Sequence, residues 1–236
     1  MLLNLRQVTF GYESPLASPL DMEVQAGQVV ALVGENGSGK STLLKTLGGM
    51  LLPLDGSLEL EGRPLAEYGL RELSKKVALV RMGLAAPAEM TVREFVSLGR
   101  SPYAGFLDGR SREDEGIIDS AMDDMDVTLF AERKVAELSD GERSRVYLAR
   151  ALAQQVRLLL LVEPDAFMDI PRRKNLFVTL QKLSREKDMT VVLSTHWVDY
   201  AEKYADSILA FTTKGNLEFA PADHARELGL LSWAEV

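Results

Sequence analysis

The stretch Gly34-Glu35-Asn36-Gly37-Ser38-Gly39-Lys40-Ser41 fits the pattern G-x-x-x-x-G-K-[ST], and its residue types suit the wrapping of backbone around phosphate. Glycines let the chain turn so that successive N–H groups point inward at phosphate oxygens. The apolar run Gln28 to Val33 predicts a buried strand before the loop, and Leu43, Leu44, Leu47 and Leu51 predict a helix over Ser41–Leu52 after it. Strand, loop and helix in that order form the setting in which this motif binds nucleotide. The helix N-terminus adds its dipole. Lys40 would reach the β- and γ-phosphates, and the Ser41 hydroxyl would bind magnesium. Gly34, Asn36, Gly37, Ser38, Gly39, Lys40, Ser41 and Thr42 are thus the expected nucleotide contacts.

A second segment, Leu138-Ser139-Asp140-Gly141-Glu142, has Ser and Glu three residues apart. That spacing spells a capping box, so a helix starts here with free N–H groups at its mouth. Glu142 to Gln155 continues it, with Val146, Ala149, Leu152 and Ala153 on one stripe.

The elements that must carry these segments alternate between short β-like runs and longer helical patterns, which predicts an α/β fold with a largely parallel sheet. Leu3–Phe10, Leu58–Leu60 and Val77–Val80 read as strands. Leu158–Val162 and Val191–Ser194 are continuous apolar runs, as expected of central strands buried on both faces. Ile208–Thr212 and Leu217–Phe219 flank Lys214-Gly215-Asn216, a turn signal for a terminal hairpin. From Thr91 to Val156 no strand is evident. Helices over Thr91–Leu98 and Ser111–Met125 join the one after Glu142 in a block that reads as an inserted subdomain.

Of the 236 residues, 46% are hydrophobic and 26% charged, which excludes a disordered, collagen-like or coiled-coil chain. The formal charge of −8 makes sequence-independent nucleic-acid binding a poor fit. It leaves room for a small anionic ligand, because backbone N–H groups bind phosphate without net positive charge. With no cysteine, disulfides, thiolate metal sites and cysteine nucleophiles are excluded. The opening Met-Leu-Leu-Asn-Leu-Arg breaks its apolar run too early for a signal segment, and Leu158–Val162 is far short of a membrane span.

Taken together, these segments resemble the ATPase subunits of ATP-binding-cassette (ABC) transporters over nearly the full chain. Leu138–Glu142 is similar to that family's Leu-Ser-Gly-Gly-Gln signature. The resemblance implies a P-loop NTPase (RecA-like) core with an N-terminal antiparallel β subdomain, in residues 1–86 and 158–236, and a helical subdomain in 87–157. It implies that Tyr12 stacks on adenine, that Glu163 is the general base, and that His196 contacts the γ-phosphate and attacking water. Asp169 falls at the family's D-loop aspartate. Two copies would sandwich ATP and magnesium head to tail, with Ser139, Asp140, Gly141 and Glu142 of one facing the phosphate loop of the other. The partners implied are integral-membrane permease subunits and, indirectly, a substrate-binding protein. The implied place is cytoplasmic, on the inner face of the membrane. Thr91-Val92-Arg93-Glu94-Phe95-Val96-Ser97-Leu98-Gly99-Arg100-Ser101-Pro102-Tyr103 looks like a segment of importers for iron–siderophore complexes, haem or cobalamin.

Two positions depart from that family, and both touch magnesium. Val162 stands where an aspartate normally orders the metal, and Asp165, beyond Pro164 and off the strand, is not expected to replace it. After Val77–Val80 the chain has Arg81-Met82-Gly83 in place of the usual glutamine. The signature also carries Asp140 and Glu142 where Gly and Gln are usual. The expectation is an active but slow ATPase with a raised magnesium requirement. The alternative is a regulatory or sensing module that binds ATP and barely hydrolyses it.

Overall fold

A computed structural model describes residues 1–82, 89–105, 111–166, 168–212 and 215–231. In chain order the elements are β1 (Leu3–Thr9), β2 (Leu20–Val24), β3 (Val29–Val33), α1 (Lys40–Leu47), β4 (Asp55–Leu60), β5 (Arg63–Pro64), α2 (Leu70–Ser74), β6 (Val77–Arg81), α3 (Val92–Ser97), α4 (Arg112–Asp124), α5 (Asp140–Ala153), β7 (Leu158–Val162), α6 (Ile170–Glu186), β8 (Thr190–Ser194), α7 (Val198–Tyr204), β9 (Ser207–Phe211) and β10 (Leu217–Pro221). Gly83 and Lys214, each part of a segment singled out in the sequence, lie outside the described residues.

The strands form two sheets. A six-stranded sheet has the order β10-β9-β3-β8-β7-β6, parallel throughout except for β10, which runs antiparallel beside β9. A four-stranded antiparallel sheet has the order β2-β1-β4-β5. Every residue of β3, β7, β8 and β9 is buried, the physical reason those stretches are mostly apolar without alternation. Along β7 the faces divide. Leu158, Leu160 and Val162 pack with Leu43, Leu44 and Leu47 of α1, whereas Leu159 and Leu161 pack with α5 and α6 through Leu148, Leu176 and Phe177. Val92, Phe95, Ile118, Met122 and Val146 of the intervening helices belong to the same apolar cluster as Leu159 and Leu161. No helix among the described residues is long and apolar enough to cross a membrane.

Two sequence expectations need correction. The helix after the phosphate loop ends at Leu47, five residues before the expected Leu52. Gly49 adopts φ +69°, and the N–H groups of Met50 and Leu51 turn back to the Lys45 carbonyl. Leu51 therefore continues the helical spacing without continuing the helix. The strand β2 was also not separated from its surroundings, although its buried Leu20, Met22 and Val24 alternate with exposed residues.

The segment Gly99–Tyr103 turns out to knit the helices together. Arg100, only 7% exposed, donates from Nε to Asp114 (2.7 Å) and from Nη1 to the Ala153 carbonyl (2.9 Å) and to Gln155 Oε1 (2.9 Å). Its guanidinium lies 3.9 Å from the Tyr103 ring centre, and the Tyr103 hydroxyl donates to the Gln154 carbonyl. Gly99 sits so close to α5 that a Cβ would fall 2.3 Å from the Arg150 carbonyl oxygen.

Arg100 and then the Ser111 cap hold the Asp114 carboxyl well below the usual carboxylate range, at about 2. A carboxylate depressed in the fold contributes stability above its unfolded value, and that contribution is lost as pH falls through the folded value. Urea unfolding should therefore show stability falling between about pH 4 and pH 2. Asp114→Asn should flatten that slope and lose about 1.5–3 kcal/mol at neutral pH. Equal slopes in the two proteins would contradict the assignment.

Candidate functional site

The phosphate loop leaves the end of β3 at Gly34 and enters α1 at Lys40. Gly34 adopts φ +147°, where a Cβ would come within 2.7 Å of the Phe211 Cβ, and Gly39 caps α1 at φ +107°. Both conformations are ones that L side chains rarely adopt. Lys40 is 5% exposed, and its Nζ donates to the carbonyls of Gly34 (2.8 Å) and Glu35 (2.7 Å). The ammonium thus gathers the loop around itself. Burial lowers the Lys40 pKa, and the nearby Glu163 carboxylate partly offsets this. Ser38 Oγ is buried without a hydrogen-bond partner, which the charge-rich oxygens of a phosphate would satisfy.

Asn36 and Ser41 are exposed on this loop and the first turn of α1, while Thr42 is half-buried. Tyr12 is 62% exposed, and its hydroxyl accepts from Lys45 Nζ at 3.1 Å, which brings its ring to the α1 side of the loop.

Parallel pairing sets Glu163 and His196 beside this loop. Leu32 of β3 pairs with Ser194 of β8, and Ser194 pairs with Val162 of β7. Glu163 follows Val162 and His196 lies two beyond Ser194, so both emerge at the edge where Gly34 does. His196 Nε2 and Glu163 Oε1 are 3.4 Å apart. The Glu163 N–H donates to Ser194 Oγ (3.0 Å), and its backbone adopts φ +47°, a left-handed conformation uncommon for a non-glycine residue. Strain of this kind collects at functional sites. Val162 is buried against the α1 side, and Arg81 pairs with it across β6 and β7, so an arginine neighbours the position where a carboxylate was expected.

The second segment is built as its spacing predicts. Ser139 caps α5, its Oγ accepting from the Glu142 N–H while the Glu142 carboxylate accepts from the Ser139 N–H (2.9 Å). The Ser139 hydroxyl itself donates to Glu142 Oε2 at 2.7 Å. These bonds, first the side-chain and then the backbone one, lower the Glu142 pKa, helped by the charges of Arg133 and Arg145. Asp140 faces Arg143 at 3.7 Å, and a Cβ on Gly141 would lie 3.3 Å from Arg172 Nη1. Asp169 caps α6, accepting from the Arg172 N–H. Among the described residues, no hydrogen bond or ion pair joins Ser139–Glu142 to the phosphate loop. One chain brings Lys40, Glu163 and His196 together and leaves the capped end of α5 apart.

Comparison with known proteins decides the family. Residues 17–166 match the model of the ABC transporter family. The chain belongs to that family. This ABC ATPase is 35% identical over 209 residues to the achromobactin transport ATP-binding protein CbrD of Dickeya dadantii, covering 88% of this chain and 78% of the relative. It is 34% identical to the ferric enterobactin transport ATP-binding protein FepC of Escherichia coli, covering 88% and 77%. Among solved structures, the dimeric ATP-binding cassette MJ0796 in a post-hydrolysis state, bound to ADP and Pi, superposes with a TM-score of 0.80 at 25% identity, covering 94% of this chain and 99% of that one. The family fold confirms the α/β reading, with its mostly parallel sheet, antiparallel β sheet and intervening helices.

Sequence reasoning missed Thr195, Arg173 and Trp197 at this edge, and weighed Asp165 only against a metal ligand. Asp165 is only 2% exposed and accepts from Thr195 Oγ1 at 2.6 Å. Arg173, also buried, lies 3.5 Å from the Trp197 ring centre. None carries a spacing signal, because each is recognised only through a partner on another segment.

Lys40 Nζ is held by two backbone carbonyls and, among the described residues, by no carboxylate hydrogen bond. Lys40→Ala should weaken binding of a fluorescent ATP analogue by roughly tenfold or more, the scale of a lost charge-assisted bond. Unchanged affinity would show that Lys40 serves only the loop's own shape.

Proposed function

We propose that this ABC ATPase is the ATP-hydrolysing subunit of an importer for an iron chelate. The reading is carried by the 3.4 Å pairing of Glu163 and His196 beside the phosphate loop. The names of the two relatives favour a ferric siderophore over haem or cobalamin. The Thr91–Tyr103 segment lends less to the cargo reading, since Arg100 and Tyr103 already have structural work inside the helices. In this reading the helices α3 to α5 form the subdomain that docks on the permease, residues 87–157. The protein then sits at the cytoplasmic face through that partner, with a substrate-binding protein beyond it.

Phosphoryl transfer depends mostly on positioning and charge neutralisation. Lys40 draws the β- and γ-phosphates into the loop and offsets their charge. Glu163 orients the attacking water and takes its proton, and His196 holds the Glu163 carboxylate while facing the γ-phosphate. Tyr12 lies against the adenine. A second copy supplies Ser139, Gly141 and the free N–H groups of α5, and Asp169 lies between the two sites.

Magnesium, when bound, supplies charge neutralisation between the β- and γ-phosphates. The Ser41 hydroxyl is a suitable hard oxygen donor for it. The described residues hold no cluster of three or more acidic or histidine side chains that would form a carboxylate cage. Val162 cannot order the ion's waters, and the neighbouring Arg81 disfavours a cation. Hydrolysis should therefore be slow and demand more magnesium.

Phosphate release measured against magnesium tests this, with Glu163→Gln as the blank. The parent should turn over above the blank, and Val162→Asp should lower the half-saturating magnesium by up to about 10- to 100-fold. A parent that saturates with magnesium as Val162→Asp does would refute the weakened metal site. A parent no faster than the blank would instead identify a nucleotide-binding regulatory module.

A further inference from the structure

Two turns meet where the chemistry is placed, and a pair of hydrogen bonds joins them. On one side the Glu163 N–H donates to Ser194 Oγ at 3.0 Å. On the other, Thr195 Oγ1 donates to Asp165 Oδ2 at 2.6 Å. The two bonds bracket Glu163 and His196. Thr195 is fully buried, and its hydroxyl also accepts from the Trp197 N–H at 3.0 Å, closing the backbone around His196. A hydroxyl has one proton to give, so a carboxylate at position 165 fixes its direction and leaves the oxygen free for Trp197.

A buried carboxylate is expensive unless paired, and this one has help. Burial raises the Asp165 pKa, and the Thr195 hydrogen bond and the charge of Arg173 offset this only in part. Arg173 is held under the Trp197 ring, 3.5 Å from its centre, and donates from Nη2 to the Met168 carbonyl at 2.6 Å. Its Nε and Nη1 have no hydrogen-bond partner. Its charge acts on the buried Asp165 without a hydrogen bond between them. Met168 directly precedes Asp169, so the same cluster reaches the loop that caps α6.

We propose that Asp165 and Thr195 are positioning residues that set His196 at its distance from Glu163 through the Thr195–Asp165 hydrogen bond. The proposal rests on the reading of Glu163 and His196 as the hydrolytic pair. Asp165 is engaged with the histidine turn.

Steady-state ATP hydrolysis by the full chain tests the bond from both ends. Thr195→Val keeps shape and removes the donor. It should lower kcat by roughly ten- to a hundredfold, the scale of a misplaced reacting group, while KM for ATP moves by less than about twofold. Thr195→Ser, which keeps the hydroxyl, should restore kcat. Asp165→Ala should match Thr195→Val, the double variant should be no slower than either, and Asp165→Asn should retain most of the rate through its amide oxygen. If Thr195→Val fails to fold, Asp165→Ala against Asp165→Asn reads the same bond. Unchanged kcat in Thr195→Val, or additive losses in the double variant, would overturn the proposal while hydrolysis by the parent stands. A parent no faster than Glu163→Gln would overturn it together with the reading it rests on.

Discussion

Three adjacent parallel strands run level at their ends, and the rest of the site depends on that register. Leu32, Ser194 and Val162 are side by side across β3, β8 and β7. The residues that follow, Gly34, His196 and Glu163, leave the sheet along one edge. Such a register is held by aliphatic packing on both faces, because a one-residue slip would exchange the α1 side for the α5 and α6 side at every position. Leu158, Leu160 and Val162 facing one way and Leu159 and Leu161 the other are therefore part of the catalytic geometry without touching a ligand. The place where strand ends meet helix starts is also where open α/β sheets bind their ligands.

The two halves of the site are prepared differently. Around the phosphate loop a buried ammonium is satisfied by two carbonyls, a weakly committed arrangement ready for an anion. At the start of α5 the free N–H groups are accompanied by Asp140 and Glu142, where the family usually has Gly and Gln. Those charges do not stand alone. Arg143 faces Asp140, and Arg133 lies 3.9 Å from Glu142. The Ser139 hydroxyl is engaged with Glu142, so meeting a γ-phosphate requires it to change acceptor. In the proposed reading that exchange would distinguish an open from a closed state, and only such differences let a nucleotide drive a motion.

What was legible in the sequence was local. The phosphate loop shows in eight consecutive residues, and the α5 cap in two residues three apart; each is a short-range constraint on backbone that residue type alone reveals. The central strands show because burial on both faces fills them mostly with apolar residues, as in Leu158–Val162 and Val191–Leu193. The end of α1 was misjudged because Leu51 keeps helical spacing after Gly49 has turned the chain. Asp165 was read only as a failed substitute for a metal ligand. Its partner Thr195 is thirty residues away, and the link between them exists only once β7 and β8 are paired. Arg100 belongs to a segment whose sequence points to an importer subfamily, yet its bonds to Ala153 and Gln155 span more than fifty residues inside the helices.

In the proposed reading, the separation of the phosphate loop from the capped end of α5 within one chain makes a second copy the missing part of the site. Sedimentation velocity of Glu163→Gln, which should bind ATP without consuming it, tests this most directly. With magnesium and ATP the protein should sediment as a dimer, and with ADP as a monomer. A monomer at saturating ATP would contradict a site completed between two chains.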